Sequence, residues 1–158
     1  MILRQYQHDD LKSMVEIWNE IVREGNAFPQ EEELDLVSGN EFFKSQTYAG
    51  VAVMDGEVVG LYILHPNNVG RCGHIANASY AVSSKWRGCG IGEKLVSDSI
   101  KQAKNLNFTI LQFNAVVETN PARHLYERLG FKQLGVIPKG FRLKNGEYEN
   151  ICPYYIEL

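Results

Sequence analysis

The sequence predicts an α/β (α+β) fold, a mixed sheet with helices on its faces. Three observations carry this. Leu11, Met14, Val15, Trp18 and Val22 recur with helical spacing. "TYAGVAVMDGEVVGLYILH" sets two β-rich runs on either side of Asp55-Gly56, a two-residue hairpin turn. The element order, β, α-region, β, β, β, α, β, α, β, β, also departs from strict doubly wound alternation.

The elements follow in order. "MILRQYQ" is a first strand, and His8-Asp9-Asp10 offers caps for the helix that Gly25 ends. Residues 26–46 are loop plus one or two short helices, with "NEFFKSQ" the best candidate. After the hairpin, "NNVGRCG" is a loop and "HIANASYAV" a strand. Ile91 to Ala103 is a helix with Val96, Ile100 and Ala103 on one side. "TILQFNAVV" is a buried strand. Asn120-Pro121 opens a further helix, since Asn caps well and Pro suits the first helical position; Leu125 and Leu129 mark its apolar side and Gly130 stops it. "FKQLGVIPKGF" and "YENICPYYIEL" are the last strands.

A chain of 158 residues with 44% hydrophobic and 22% charged residues reads as one globular domain, residues 1–158. Its net charge of -3 argues against a nucleic-acid partner held by bulk electrostatics. No apolar run reaches the roughly 18 residues of a membrane span, and "MILRQYQHDD" lacks a signal peptide's apolar stretch. Cys72, Cys89 and Cys152 are odd in number, and neither they nor the four histidines have metal-ligand spacing. The expectation is a cytoplasmic protein without structural zinc.

"SSKWRGCGIGEKL" is the most informative stretch. Gly88, Gly90 and Gly92 lie between a strand ending at Val82 and a helix starting near Ile91. Glycines there uncover backbone N–H groups, and the helix N-terminus adds a positive dipole end. With Lys85 and Arg87 beside them the combination fits phosphate or pyrophosphate, although a tight turn alone could require glycine. A Walker loop fails because Glu93 follows Gly92, and in a dinucleotide fingerprint the third glycine would come later.

"RGCGIG" (Arg87 to Gly92) resembles the acetyl-CoA signature Q/R-x-x-G-x-G/A of the GNAT superfamily of N-acetyltransferases. "TNPARHLYERLGF" (Thr119 to Phe131) is similar to that superfamily's second motif. "GRCGHIANASYAV", "FNAVVETN" and "LGVIPKGF" resemble its branch that includes an azetidine-2-carboxylate acetyltransferase, an enzyme acting on proline-like amino acids. The resemblance implies a mostly antiparallel sheet of about seven strands with helices on both faces. It also implies acetyl-CoA as cosubstrate and direct attack of an amine on the thioester.

Residue by residue, the resemblance implies that Arg87 pairs with pyrophosphate. Gly88, Cys89, Gly90, Ile91 and Gly92 give N–H groups to it, and the pantetheine lies along the strand ending at Val82. Tyr126 becomes the general acid for the departing thiolate, although its spacing with Ala122, Leu125 and Leu129 also fits a core stripe. Asn120, a helix cap in its own right, would also touch the pantetheine or the reacting centre. Asn77 and Asn114 are polar residues in apolar strands and would bind the substrate's carboxylate or amide.

The base stays open between His74, Glu118 and a water relay. The acidic run Glu31, Glu32, Glu33 and Asp35 would draw a cationic amine or simply form a solvated helix face. The leading expectation is acetylation of a small-molecule amine such as a proline-like amino acid, by a monomer or homodimer. Alternatives are a peptide or protein N-terminus as acceptor, a catalytically silent acyl-CoA-binding domain, and a nucleotide-binding oxidoreductase fragment that binds NAD.

Overall fold

The computed structural model describes residues 1–158. In chain order the elements are β1 (Ile2–Gln5), α1 (Leu11–Glu24), α2 (Leu36–Ser45), β2 (Tyr48–Met54), β3 (Glu57–Pro66), β4 (Ile75–Val82), α3 (Ile91–Asn105), β5 (Ile110–Phe113), α4 (Ala122–Arg128), β6 (Lys132–Gln133), β7 (Ile137–Arg142), β8 (Tyr148–Ile151) and β9 (Tyr154–Glu157). Seven strands form one sheet in the order β1-β2-β3-β4-β5-β9-β6, and β7 and β8 form a separate hairpin. Every pair in the large sheet is antiparallel except β4 with β5. This is the expected mixed, mostly antiparallel sheet.

Apolar side chains divide by strand parity. Leu61 and Ile63 of β3 and Ala81 of β4 pack with Met14, Trp18 and Phe43 under α1 and α2. Tyr62 and Leu64 pack on the other side with Ile91, Leu95, Tyr126 and Tyr154, under α3 and α4. Helices therefore cover both faces. Asp55 and Gly56 both have positive φ, 51° and 83°, as a two-residue hairpin turn with the native strand twist requires.

Two hydrogen bonds tie α3 to the sheet. The Tyr62 hydroxyl donates to Asp98 Oδ2 at 2.7 Å, and the Tyr80 and Ser99 hydroxyls lie 2.7 Å apart. Glycine makes the close approach possible. A Cβ at Gly60 would lie 3.1 Å from both Ile91 and Leu95, and one at Gly50 only 2.4 Å from the Tyr62 ring. These contacts fix the N-terminus of α3 beside the end of β4.

Several expected elements are shorter or differently built. The strand expected over "TILQFNAVV" stops at Phe113, and Asn114 lies beyond its end. The two final strands each break in two, the first around Gly135 (φ 152°) and the second at Cys152-Pro153, where proline has no N–H to give. The 26–46 region contains one helix, α2, which starts nine residues before Lys44's neighbour Ser45 ends it, at Leu36. Asp35 caps it by accepting from Ser38 N at 2.7 Å. Asp10 does not cap α1 with its side chain; it accepts from Arg4 at 2.7 and 3.0 Å and from Gln7 N at 2.7 Å, tying β1 to the turn that follows.

Candidate active site

The site begins where β4 and β5 part. Their parallel pairing covers only Ile75↔Ile110, Ala76↔Leu111 and Asn77↔Gln112, while β4 runs on to Val82. Asn77 sits at the fork, and its Nδ2 donates to the Gln112 carbonyl at 3.0 Å. Beyond it, one edge of β4 has no strand partner. Ser83 N donates to Val59 O at 3.0 Å, so odd-numbered residues of β4 face β3. Ala78, Tyr80 and Val82 therefore aim their backbone groups into the gap, a ready edge for an extended ligand.

A cavity of about 580 Å³ fills the fork. Ile63, His65, Asn77 and Ser79 line it from β3 and β4, and Phe42, Ser45 and Gln46 from the end of α2. Phe113, Asn114, Ala115, Val116, Asn120 and Tyr126 form the opposite wall. The expected Asn77, Asn114, Asn120 and Tyr126 thus converge, although they come from three separate segments: β4, the end of β5, and α4 with its cap.

Each of these side chains has a defined setting. Asn120 Oδ1 accepts from Ala122 N at 2.9 Å, the expected cap of α4, which leaves its Nδ2 without a protein partner. Asn114 is exposed at the rim; it donates to Asn67 Oδ1 at 2.6 Å and accepts from Gln112 Nε2 at 3.0 Å. Tyr126 packs against Phe113 with ring centroids 4.7 Å apart, so the core stripe and the cavity wall are the same residue. Its hydroxyl has no protein partner. Burial, and then the neighbouring Tyr154, push that hydroxyl up to about 12, so it stays protonated at neutral pH.

The glycine loop lies at the far end of the free β4 edge. Gly88 and Gly90 take the left-handed conformation (φ 78° and 75°), and Gly90 precedes α3. A Cβ at Gly88, Gly90 or Gly92 would meet nothing within 4 Å, so this backbone is bare to solvent. The amides of Gly88, Cys89, Gly90, Ile91 and Gly92 have no acceptor in any turn, cap or side chain. This is the geometry of an anion cradle on a helix N-terminus. The Ile91 side chain is buried in the core, so only its backbone can contribute. Cys89 is exposed. Arg87 is engaged: its Nη2 lies 2.5 Å from Glu24 Oε1. Lys85 is exposed beside it.

Both named base candidates lie outside the cavity. His74 is exposed before β4, on the far side of Asn77 from the gap, and Glu118 Oε2 accepts from Asn150 at 3.0 Å. The acidic run is not a helix face, and three of its four carboxylates are engaged. Glu31 pairs with Arg142 at 2.7 Å, Glu33 pairs with Arg23, and Asp35 caps α2. Two cavity residues escaped sequence reasoning, His65 and Gln46. Gln46 Nε2 donates to the Phe42 carbonyl at 2.9 Å, which fixes the amide's orientation, and Gln46 Oε1 is a buried acceptor with no donor. No group of three or more His, Cys, Asp or Glu is placed to hold a metal ion, and no helix is long and apolar enough to cross a membrane.

Comparison with known proteins agrees with this geometry. The model of the acetyltransferase (GNAT) family matches residues 11–131. Over 91 residues the chain is 37% identical to the N-acetyltransferase aca1 of Schizosaccharomyces pombe, covering 57% of this chain and 44% of that protein. Over 107 residues it is 31% identical to the L-amino acid N-acetyltransferase AaaT of Escherichia coli, covering 67% of this chain and 64% of that protein. The chain thus spans less than two thirds of the length of either curated relative. A GCN5-related N-acetyltransferase from Kribbella flavida superposes with a TM-score of 0.91 at 31% identity, over 99% of this chain and 97% of that one.

Proposed function

The chain belongs to the GNAT acetyltransferase family, and from that premise we propose that it transfers the acetyl group of acetyl-CoA to the amine of a small molecule, an amino acid in particular. The observation that carries this is the free edge of β4, which leaves the forked cavity and runs toward the bare glycine loop. Gly88 to Gly92 would take the pyrophosphate, with Lys85 and a released Arg87 adding charge. Ala78, Tyr80 and Val82 would pair with the amides of the pantetheine arm. That leaves the thioester at the fork, between Asn120 and Tyr126.

The chemistry follows from the groups present. A neutral amine attacks the carbonyl carbon, a C–N bond forms and the C–S bond breaks. Tyr126, protonated at neutral pH, donates a hydrogen bond to the sulfur as charge develops there. The Asn120 Nδ2, free of protein partners, would hold the pantetheine beside the thioester. On the acceptor side, Asn77 and Asn114 offer polar contacts for a carboxylate or amide. The similarity to an L-amino acid N-acetyltransferase supports an amino acid over a peptide. The three free thiols fit a reducing, cytoplasmic setting.

Thermal unfolding with acetyl-CoA, with NAD as control, tests the donor. At about 100 times Kd a ligand adds roughly 2.7 kcal/mol. In a domain of this size that raises Tm by about 5–10 °C. Release of the CoA thiol with free L-amino acids, against peptides with matched N-termini, tests the acceptor. A shift with NAD alone, or turnover with peptides alone, rejects the corresponding half of the proposal.

A further inference from the structure

We propose that His65, at the end of β3, is the base that takes the proton from the acceptor's ammonium group. This rests on the acetyltransferase reading above and names a residue for a role that it leaves vacant.

His65 stands directly opposite Asn77 in the β3–β4 register, and Ile63 opposite Ser79. All four belong to the parity that faces α1 and α2, and all four line the cavity. His65 is half-buried there, in the cavity that Phe42 and Gln46 also line, with the fork at Asn77 beside it.

His65 Nδ1 lies 2.9 Å from the Pro66 carbonyl. A carbonyl oxygen can only accept, so Nδ1 carries the hydrogen and Nε2 of the neutral ring is left with its lone pair. The ring is thereby set as a proton acceptor, and no protein donor occupies Nε2.

The cavity offers no other base. No Asp, Glu, Lys, Arg or Cys lines it, and its other titratable groups are Tyr80 and Tyr126. The Tyr80 hydroxyl is committed to Ser99 and held well above its ordinary range by burial. Tyr126, raised for the same reason, is protonated at neutral pH. The facing polar groups from the packed elements are Gln30, Ser45 and Gln46 near α2, Ser79 and Asn77 on β4, and Asn114 after β5, none of which titrates.

The proton count closes. The ammonium gives one proton to His65 Nε2, forming imidazolium and a neutral amine. The amine attacks the thioester carbon, and a second nitrogen proton of the adduct ends on the departing sulfur with Tyr126 as donor. The imidazolium then returns its proton to bulk water through the open mouth of the cavity. The products are the amide, CoA thiol and one proton.

The test uses the full chain with acetyl-CoA and the set of proteinogenic L-amino acids as acceptor probes, and follows kcat/KM against pH. The variants are His65→Asn, which can still donate to the Pro66 carbonyl, and His65→Ala, assayed with and without free imidazole. At pH 7 both should lose about 100-fold or more. The loss should shrink as pH rises toward the amine's own pKa near ~10, where solution supplies neutral amine. Imidazole should restore part of the His65→Ala rate, and acetyl-CoA affinity should stay within about twofold in both. Wild-type rates in both variants would overturn the proposal. So would losses that neither alkaline pH nor imidazole relieves, which indicate a structural histidine. If the wild type binds acetyl-CoA yet transfers to no amino acid, the acceptor assignment fails and takes this role with it. Transfer by the wild type with an unmoved pH profile in His65→Asn overturns the role of His65 alone.

Discussion

Arg87 Nη2 lies 2.5 Å from Glu24 Oε1, so the last turn of α1 holds the cation that flanks the glycine loop. Both side chains are substantially exposed, 45% and 36%, and an ion pair in that setting contributes about 0–1 kcal/mol. A pyrophosphate can therefore capture Arg87 at small cost. Glu24→Gln should tighten acetyl-CoA by up to about fivefold, and Arg87→Ala should weaken it by about tenfold, both read by calorimetry. Unchanged affinity in both variants would remove Arg87 from the binding site.

Tyr126 combines a buried ring with a hydroxyl that no protein group engages. Tyr126→Phe keeps the ring packing on Phe113 and Tyr154 and deletes only the donor. Turnover should fall about 100-fold while the acetyl-CoA Kd and the midpoint of denaturant unfolding stay within error. Full turnover in this variant would reject the hydroxyl as donor to sulfur.

Asn114 lies at the rim, in a polar chain with Gln112 and Asn67. A hydrogen bond to a charged substrate group contributes about 1.5–3 kcal/mol. Asn114→Ala should thus raise the acceptor KM about tenfold and leave acetyl-CoA affinity intact. An equal loss of both affinities would point to collapse of the rim instead of a lost substrate contact.

The Arg4 guanidinium, bonded twice to Asp10, holds that carboxyl below its ordinary range. The sign follows from linkage. A carboxyl depressed in the folded state stabilises the fold above its unfolded pKa of about 3.9, and that contribution fades as pH falls through the folded value. Urea unfolding should show Arg4→Gln losing stability at pH 7 but converging on the wild type at pH 3 and below. A constant difference across that range would show that Arg4 acts by packing and not through Asp10.

Much of this protein is legible along the chain because its signals are local. The helical spacing from Leu11 to Val22, the Asp55-Gly56 turn and the Asn120 cap each depend on neighbours a few residues away, and the structure contains all three. The glycine loop is local too: Gly88 and Gly90 before α3 and Gly92 in its first turn leave the backbone bare whatever the rest of the fold does. Where tertiary context rules, the local signals fall short. Asp10 is a good cap residue, yet Arg4 and Gln7 claim its side chain. The apolar run from Thr109 to Val117 would suit one long strand, but the fork turns it away from the sheet after Phe113.

The sequence by itself determined the fold class, the order of most elements and the exposed glycine loop at the start of α3, because periodicity, turn chemistry and backbone exposure are properties of short segments. Only the tertiary structure decided which side chains share the cavity. His65 and Asn77 become neighbours through the antiparallel β3–β4 register, and a shift of one residue would send His65 to the opposite face. His74 and Glu118 are excluded by the same kind of fact: one lies on the wrong side of the fork, and the other is turned toward Asn150. Proximity across strands depends on register, and register is set by burial of the whole sheet between two layers of helices.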